Sequence, residues 1–280
     1  MSFSSEVKAE LKNGISSSKH CRLAELSAMV VMTGEFHDGV WQPPEDNGFV
    51  VSKADKLIKM LDIDINSEEG KKSLKLIKTD EGYTIDNMLV ERSCCKQAYL
   101  RGAFLGAGSI TNPEKGYHFE IVCDTKRQAE IISDIINSFD VESKSISRKK
   151  YYVVYVKDGS HIVDLLNVMG AHTSLMNMEN VRIIKDVRNN LNRQVNCEAA
   201  NLNKTVSAAV KQINDIEYIH RVKGIKYLPE GLRRLAELRV EFDQASLKEL
   251  GDMLNPPLGK SGVNHRLRKI SEIADELRRS

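Results

Sequence analysis

The stretch Cys21 to Gly34, CRLAELSAMVVMTG, is a nearly continuous apolar run of helical length, and GEFHDGVW after it alternates as a strand does. The pattern then predicts a short strand at Phe49 to Val51, a helix from Lys53 to Leu61, and strands in KSLKLIKT and GYTID. The same order returns: a helix from Cys94 to Ala107, a turn at Gly108, strands SIT and YHFEIVC, a helix from Lys126 to Phe139, and strands SKSIS and YYVVYV. A helix from His161 to Met169 closes the second copy. The two long helices end at Gly34 and Gly108, 74 positions apart, which suggests one unit used twice.

From Met178 the chain reads as helix throughout, without glycine between Ala171 and Gly224. KGIKYLPEG interrupts it, and Pro229 with Glu230 opens a helix whose apolar positions are Leu232, Leu235, Leu238 and Phe242. Leu247, Leu250 and Leu254 then predict a short helix over Ser246 to Leu254, and NPPLGKS stops it. Ser261 is the expected N-cap of a last helix, in which Val263, Leu267, Ile270, Ala274 and Leu277 form one apolar stripe.

The expected fold class is α+β: a duplicated αββαββα domain followed by an all-α helix-turn-helix domain. The expected divisions are residues 1–90 and 91–175 for the two halves, 176–225 for a helical linker and 226–280 for the helix-turn-helix.

Charge matters through its distribution. The net charge of +2 does not point to nucleic acid, but Asn255 to Lys269 holds Lys260, Arg266, Arg268 and Lys269 with no acid. The acids Glu272, Asp275 and Glu276 come only later. Cationic and amide donors at a helix N-terminus suit phosphates and base edges, so Lys260, Ser261, Gly262, Val263, Asn264, His265, Arg266, Arg268 and Lys269 are the expected DNA-binding set. Two other basic runs are Lys144, Arg148, Lys149, Lys150 and Arg182, Lys185, Arg188, Arg193. Taken alone, any such run reads first as a solvated surface.

The remaining composition excludes several classes. There is no apolar stretch of membrane-spanning length, and the first residues carry acids and lysines where a secretory signal needs an apolar segment. The five cysteines lack a C-x-x-C spacing, the vicinal pair Cys94 and Cys95 is poorly placed to bridge, and the seven histidines are scattered. No metal, no cofactor and a reducing cytoplasmic setting are therefore expected, and DNA binding would place the protein at the nucleoid.

LRGAFLGAG at Leu100 to Gly108 resembles the LAGLIDADG helix of homing endonucleases, and LSAMVVMTG at Leu26 to Gly34 is a weaker match with Met32 at a position where that family favours a small residue. The resemblance implies two helices side by side at a pseudo-twofold axis, with Ala28, Gly102 and Gly106 allowing close approach. The positions where that family carries its catalytic acids are Thr33 and Ala107, so the resemblance also implies that cleavage chemistry is absent. Glu35 is a displaced acid whose counterpart is Ser109. AYLRGAFLGAGSI, RQVNCEAANLNKT and SLKELGDML with GKSGVNHRLRKI resemble, in that order, the WhiA family of bacterial regulators. That resemblance implies a non-enzymatic protein acting on double-stranded DNA in cell division, chromosome segregation or sporulation, as a transcriptional regulator, with other transcription or division proteins as further partners. Arg188, Arg193, Asn196, Asn201 and Lys204 are candidate phosphate contacts. A division adaptor with secondary DNA binding and a residual nuclease are the competing readings.

Overall fold

The computed structural model describes residues 2–34, 36–37 and 40–279, grouped in two compact units, residues 1–186 and 187–280. Unit 1 starts with α1 (Phe3–Asn13), whose Phe3, Val7 and Leu11 are buried one turn apart. It is followed by α2 (Lys19–Thr33), the ribbon β1 (Phe36–His37) and β2 (Val40–Trp41), α3 (Gly48–Leu61), α4 (Glu68–Ser73) and a second ribbon, β3 (Leu76–Thr79) and β4 (Gly82–Ile85). The second half comprises α5 (Ser93–Ala107), β5 (Gly108–Ile110), β6 (Phe119–Cys123), α6 (Lys126–Asn137), β7 (Lys144–Arg148), β8 (Tyr151–Val156) and α7 (Gly159–Met169). Its four strands form one antiparallel sheet in the order β5-β6-β8-β7. β6 alternates buried and half-buried residues, as a sheet covered on one face requires.

The helix-strand order thus repeats, but the halves differ: among the described residues the first half keeps two separate ribbons where the second has a full sheet. Three expectations need correction. Phe49 to Val51 is helix, because the Asn47 side chain accepts from Val50 N (3.3 Å) and starts α3 there, and Val50, Ala54, Leu57 and Leu61 line its buried stripe. The strand expected from Lys72 begins only at Leu76, because Ser67 caps α4 through Gly70 N at 3.0 Å. Gly108 is not a turn but extended backbone (φ −87°) that enters β5 directly, whereas Gly34 does close α2 in the left-handed region (φ 64°).

α2 and α5 lie side by side at the centre of unit 1. A Cβ on Gly102 would sit 2.3 Å from the Glu25 carbonyl oxygen, and one on Gly106 would sit 3.3 Å from Met32 Cβ. Met32 is thus accommodated by the glycine opposite it. Glu25, wholly buried, accepts a bidentate pair from Arg101 of α5 (Nε to Oε1 2.8 Å, Nη2 to Oε2 3.1 Å) and an ion pair from Lys53 of α3. Lys53 also donates to the Leu11 and Gly14 carbonyls, at 2.5 and 2.7 Å, which ties down the end of α1. The buried charges are therefore mutually satisfied, the condition under which such a group is tolerated in a core.

α8 (His172–Lys223) starts in unit 1, where Glu10 of α1 accepts from Thr173 N (2.7 Å) and Ser174 N (3.0 Å) at its first turn, and continues into unit 2. Among the described residues no helix is long and apolar enough to cross a membrane.

Gly102→Ala should cost unit 1 about 3 kcal/mol, because backbone rather than a flexible side chain occupies the space. Calorimetry should show its melting fall by about 10 °C. Gly48→Ala, whose Cβ meets open space, should be neutral. Equal melting of the two variants would refute the close-approach argument.

Candidate nucleic-acid interface

Unit 2 contains the rest of α8, α9 (Glu230–Glu241), α10 (Leu247–Asp252) and α11 (Lys260–Arg279). Its core joins Ile216 and Ile219 of α8, Leu232, Leu235 and Leu238 of α9, Leu250 of α10, and Val263, Leu267, Ile270 and Ala274 of α11. The stripe expected from the spacing is the face that α11 buries, with Leu277 packed at its margin.

The connections are fixed by specific groups. Pro229 precedes α9 as its N-cap. Arg239, 2% exposed, donates to the Ala245 carbonyl at 2.7 Å and to that of Asp243, closing the loop between α9 and α10. Ser246 and Glu249 form a reciprocal capping box at the start of α10, and the hydrogen bonds from Ser246 hold the Glu249 carboxyl below its usual range. Leu258 N donates to Gly251 O (3.0 Å), and a Cβ on Gly251 would lie 1.9 Å from Leu258 O. This glycine lets the turn between α10 and α11 fold flat against α10.

α11 starts at Lys260, with Val263 N bonded to Gly259 O, so Ser261 sits in the first turn rather than at the N-cap. Lys260, Ser261, Asn264, His265, Arg268 and Lys269 are exposed. Gly262 is half-buried against Leu258, and Val263 is wholly buried, so the valine belongs to the core stripe. Arg266 is half-buried and donates to Gly231 O at 3.0 Å, which ties α11 to the start of α9. No acid lies in the first turn. At the other end Arg278 pairs with Asp215 of α8 (2.7 Å), itself 2% exposed, and with Asp275 (2.7 Å), and lies over the Tyr218 ring. Those two carboxylates hold the Arg278 pKa above its usual value. Spacing alone offered no signal for this clamp or for the role of Gly251; the one hint was a glycine inside a helical pattern.

On α8, Arg188, Arg193, Asn196, Asn201 and Lys204 are all exposed, alongside the exposed apolar side chains Leu191, Val195, Leu202 and Val206. The earlier basic residues are engaged: Arg182 pairs with Glu179 (2.6 Å), and Lys185 donates to Pro113 O (2.7 Å) over the Tyr117 ring.

At the ends of α2 and α5, Thr33 Oγ1 donates to Met29 O (2.8 Å) and accepts from Trp41 Nε1 (3.1 Å), and Ala107 offers no polar side-chain atom. Glu35 lies outside the described residues. The opposite ends of the same helices bring together His20, Cys21, Cys94 and Cys95, a convergence that linear spacing had not suggested.

A duplicated α+β unit that retains close-packed LAGLIDADG-type helices without acids at their ends, joined to an all-helical unit with a cationic last helix, defines a class: a LAGLIDADG-like domain fused to a helix-turn-helix. Residues 96–188 match the WhiA LAGLIDADG-like domain and residues 191–274 the WhiA C-terminal HTH domain. The chain is 49% identical to "Probable cell division protein WhiA" of Lachnoclostridium phytofermentans, over 99% of this chain and all of that one. It is 45% identical to the protein of the same name in Alkaliphilus oremlandii, over 99% and 98% of the two chains. The crystal structure of full-length DUF199/WhiA from Thermatoga maritima superposes with a TM-score of 0.58 at 26% identity, covering 99% of each chain. The chain belongs to the WhiA family.

Gly251→Ala should push the turn away from α10 and cost unit 2 about 2 kcal/mol or more. Hydrogen exchange should show faster amide opening in α10 and α11 while α2 and α5 stay protected. Unchanged exchange in α11 would remove Gly251 from its structural role.

Proposed function

We propose that the chain is a non-enzymatic DNA-binding regulator that grips duplex DNA with the first three turns of α11. The observation that carries this reading is the division of that helix: Val263, Leu267 and Ile270 are buried, while Ser261, Asn264, His265, Arg268 and Lys269 face water beyond an acid-free first turn. Exposed donors and the positive end of the helix dipole act on the same anionic surface. Lys260 extends the set at the helix start. Arg266 takes a double role, bridging to Gly231 and adding charge beside the groove. Arg188, Arg193, Asn196, Asn201 and Lys204 of α8 are the proposed additional phosphate contacts.

The names of the relatives support a role in cell division, which we read as control of transcription at division or sporulation genes or as chromosome organisation at the nucleoid, in the cytoplasm. Other transcription or division proteins are the proposed further partners. The LAGLIDADG-like unit serves as scaffold: Thr33 is committed to Trp41, and Ala107 has nothing to bind a divalent ion.

Arg268→Ala with Lys269→Ala should weaken duplex binding about uniformly across sequences and lower the salt slope by about one unit per lost phosphate contact. Fluorescence anisotropy across a salt series measures both, and wild-type affinity at every salt concentration would disprove the assignment. Supercoiled plasmid incubated with the chain and magnesium or manganese should remain intact. Metal-dependent nicking would overturn the non-enzymatic reading.

A further inference from the structure

The duplication that aligns Gly34 with Gly108 also aligns His20 with Cys94 and Cys21 with Cys95, since each pair is 74 residues apart. These four residues occupy the first turns of α2 and α5, the two helices that meet at the centre of unit 1. Close packing therefore brings two adjacent donors from each copy to one point. His20 Nδ1 lies 3.3 Å from both Cys21 Sγ and Cys95 Sγ, and the four donor atoms all lie within 4.8 Å of one another.

We propose that His20, Cys21, Cys94 and Cys95 form a binding site for one zinc ion, which would cross-link the two copies of the repeat at the base of their central helices. Three thiolates and one imidazole are a donor set suited to tetrahedral zinc, with Zn–S near 2.3 Å and Zn–N near 2.0 Å, so the sulfurs of a filled site stand about 3.8 Å apart. The present spacing reaches that geometry through side-chain rotations and shifts of under about 1 Å. Thiolates and imidazole select this ion over magnesium or calcium, which take oxygen ligands.

The surroundings fit the charge. Binding releases one proton from each of three thiols, and the filled site carries a net charge of −1. No side chain caps the N-terminus of α2 or α5 by a hydrogen bond, so the positive ends of two helix dipoles favour this anion. A cavity of about 240 Å³, lined by Ser16, Cys21, Cys94, Gln97 and Arg101, provides an entry path beside a guanidinium. Cys94 is exposed, Cys21 and Cys95 are buried and His20 is half-buried, so the site is open on one side and closed on the other. All three cysteines are free thiols, and a metal binds them only as thiolates, so proton release is a direct signature of binding.

The test uses the full chain, reduced and freed of metal. Cobalt(II) titration should produce the visible absorption of a tetrahedral site and thiolate-to-cobalt charge transfer, saturating at one ion per chain and bleached by zinc. Zinc should release protons into weakly buffered solution and raise the melting of unit 1. Cys94→Ser and His20→Ala, neither at a fully buried position, should each weaken binding at least tenfold while leaving the metal-free melting unchanged, and Cys197→Ser, on exposed α8, should bind as wild type. Absence of the tetrahedral spectrum, binding that survives Cys94→Ser together with His20→Ala, or a cobalt spectrum lost equally with Cys197→Ser would overturn the proposal.

Discussion

The approach of α2 to α5 is the constraint on which unit 1 depends. Two helices of these lengths meet this closely only where a side chain is missing, and the missing atom is the Gly102 Cβ opposite the Glu25 carbonyl. Everything else around Glu25 follows from that approach. Its carboxylate is shut off from bulk solvent, so Arg101 crosses from the other copy and Lys53 from α3, and Lys53 in turn holds the end of α1 through two carbonyls. A buried triad of this kind adds little net stability compared with an apolar substitute, but it penalises any helix register that leaves one charge unpaired.

The same reasoning applies to unit 2 on a smaller scale. Gly251 is missing a side chain where Leu258 needs room, and Arg239 satisfies carbonyls that a short loop leaves without partners. The apolar stripe of α11 then sets its rotation, and Asp215 with Arg278 fixes its far end on α8. A helix held at both ends and along one face presents the opposite face with little residual freedom. Preorganised donors lose less entropy on meeting a polyanion than mobile ones do. Arg266 shows the compromise directly, since its bond to Gly231 fixes the helix and limits the reach of that guanidinium.

The sequence made the repetitive features readable and left the singular ones hidden. The stripe from Val263 to Leu277, the strands β7 and β8 and the central helices were legible because each shows one pattern over many residues. Phe49 to Val51 misled because three apolar residues in a row satisfy strand and buried-helix patterns alike, and the deciding group, Asn47, lies outside the run. Gly108 misled because the repeat suggested the same backbone as Gly34, whereas the second copy enters its sheet without a reversal. Of the expected DNA contacts, Val263 was assigned by adjacency to the basic run, while its spacing had already placed it in the stripe. Gly251, Arg239 and Asp215 act through tertiary partners, which no local pattern encodes.

The two ends of the central helices have diverged in opposite chemical directions. At their C-terminal ends the positions suited to metal-binding acids hold a threonine bonded to Trp41 and an alanine, so a charge there would have to displace a buried indole contact. At their N-terminal ends polarisable donors gather instead, where two helix dipoles favour negative charge. Loss of the acids removes the requirement for an open, hydrated end and permits Trp41 to pack at 4% exposure. The close helix pair itself is retained at Gly102 and Gly106. Within the same unit Glu10 of α1 accepts from two backbone amides of the first turn of α8, which satisfies donors that a helix start leaves without intrahelical partners.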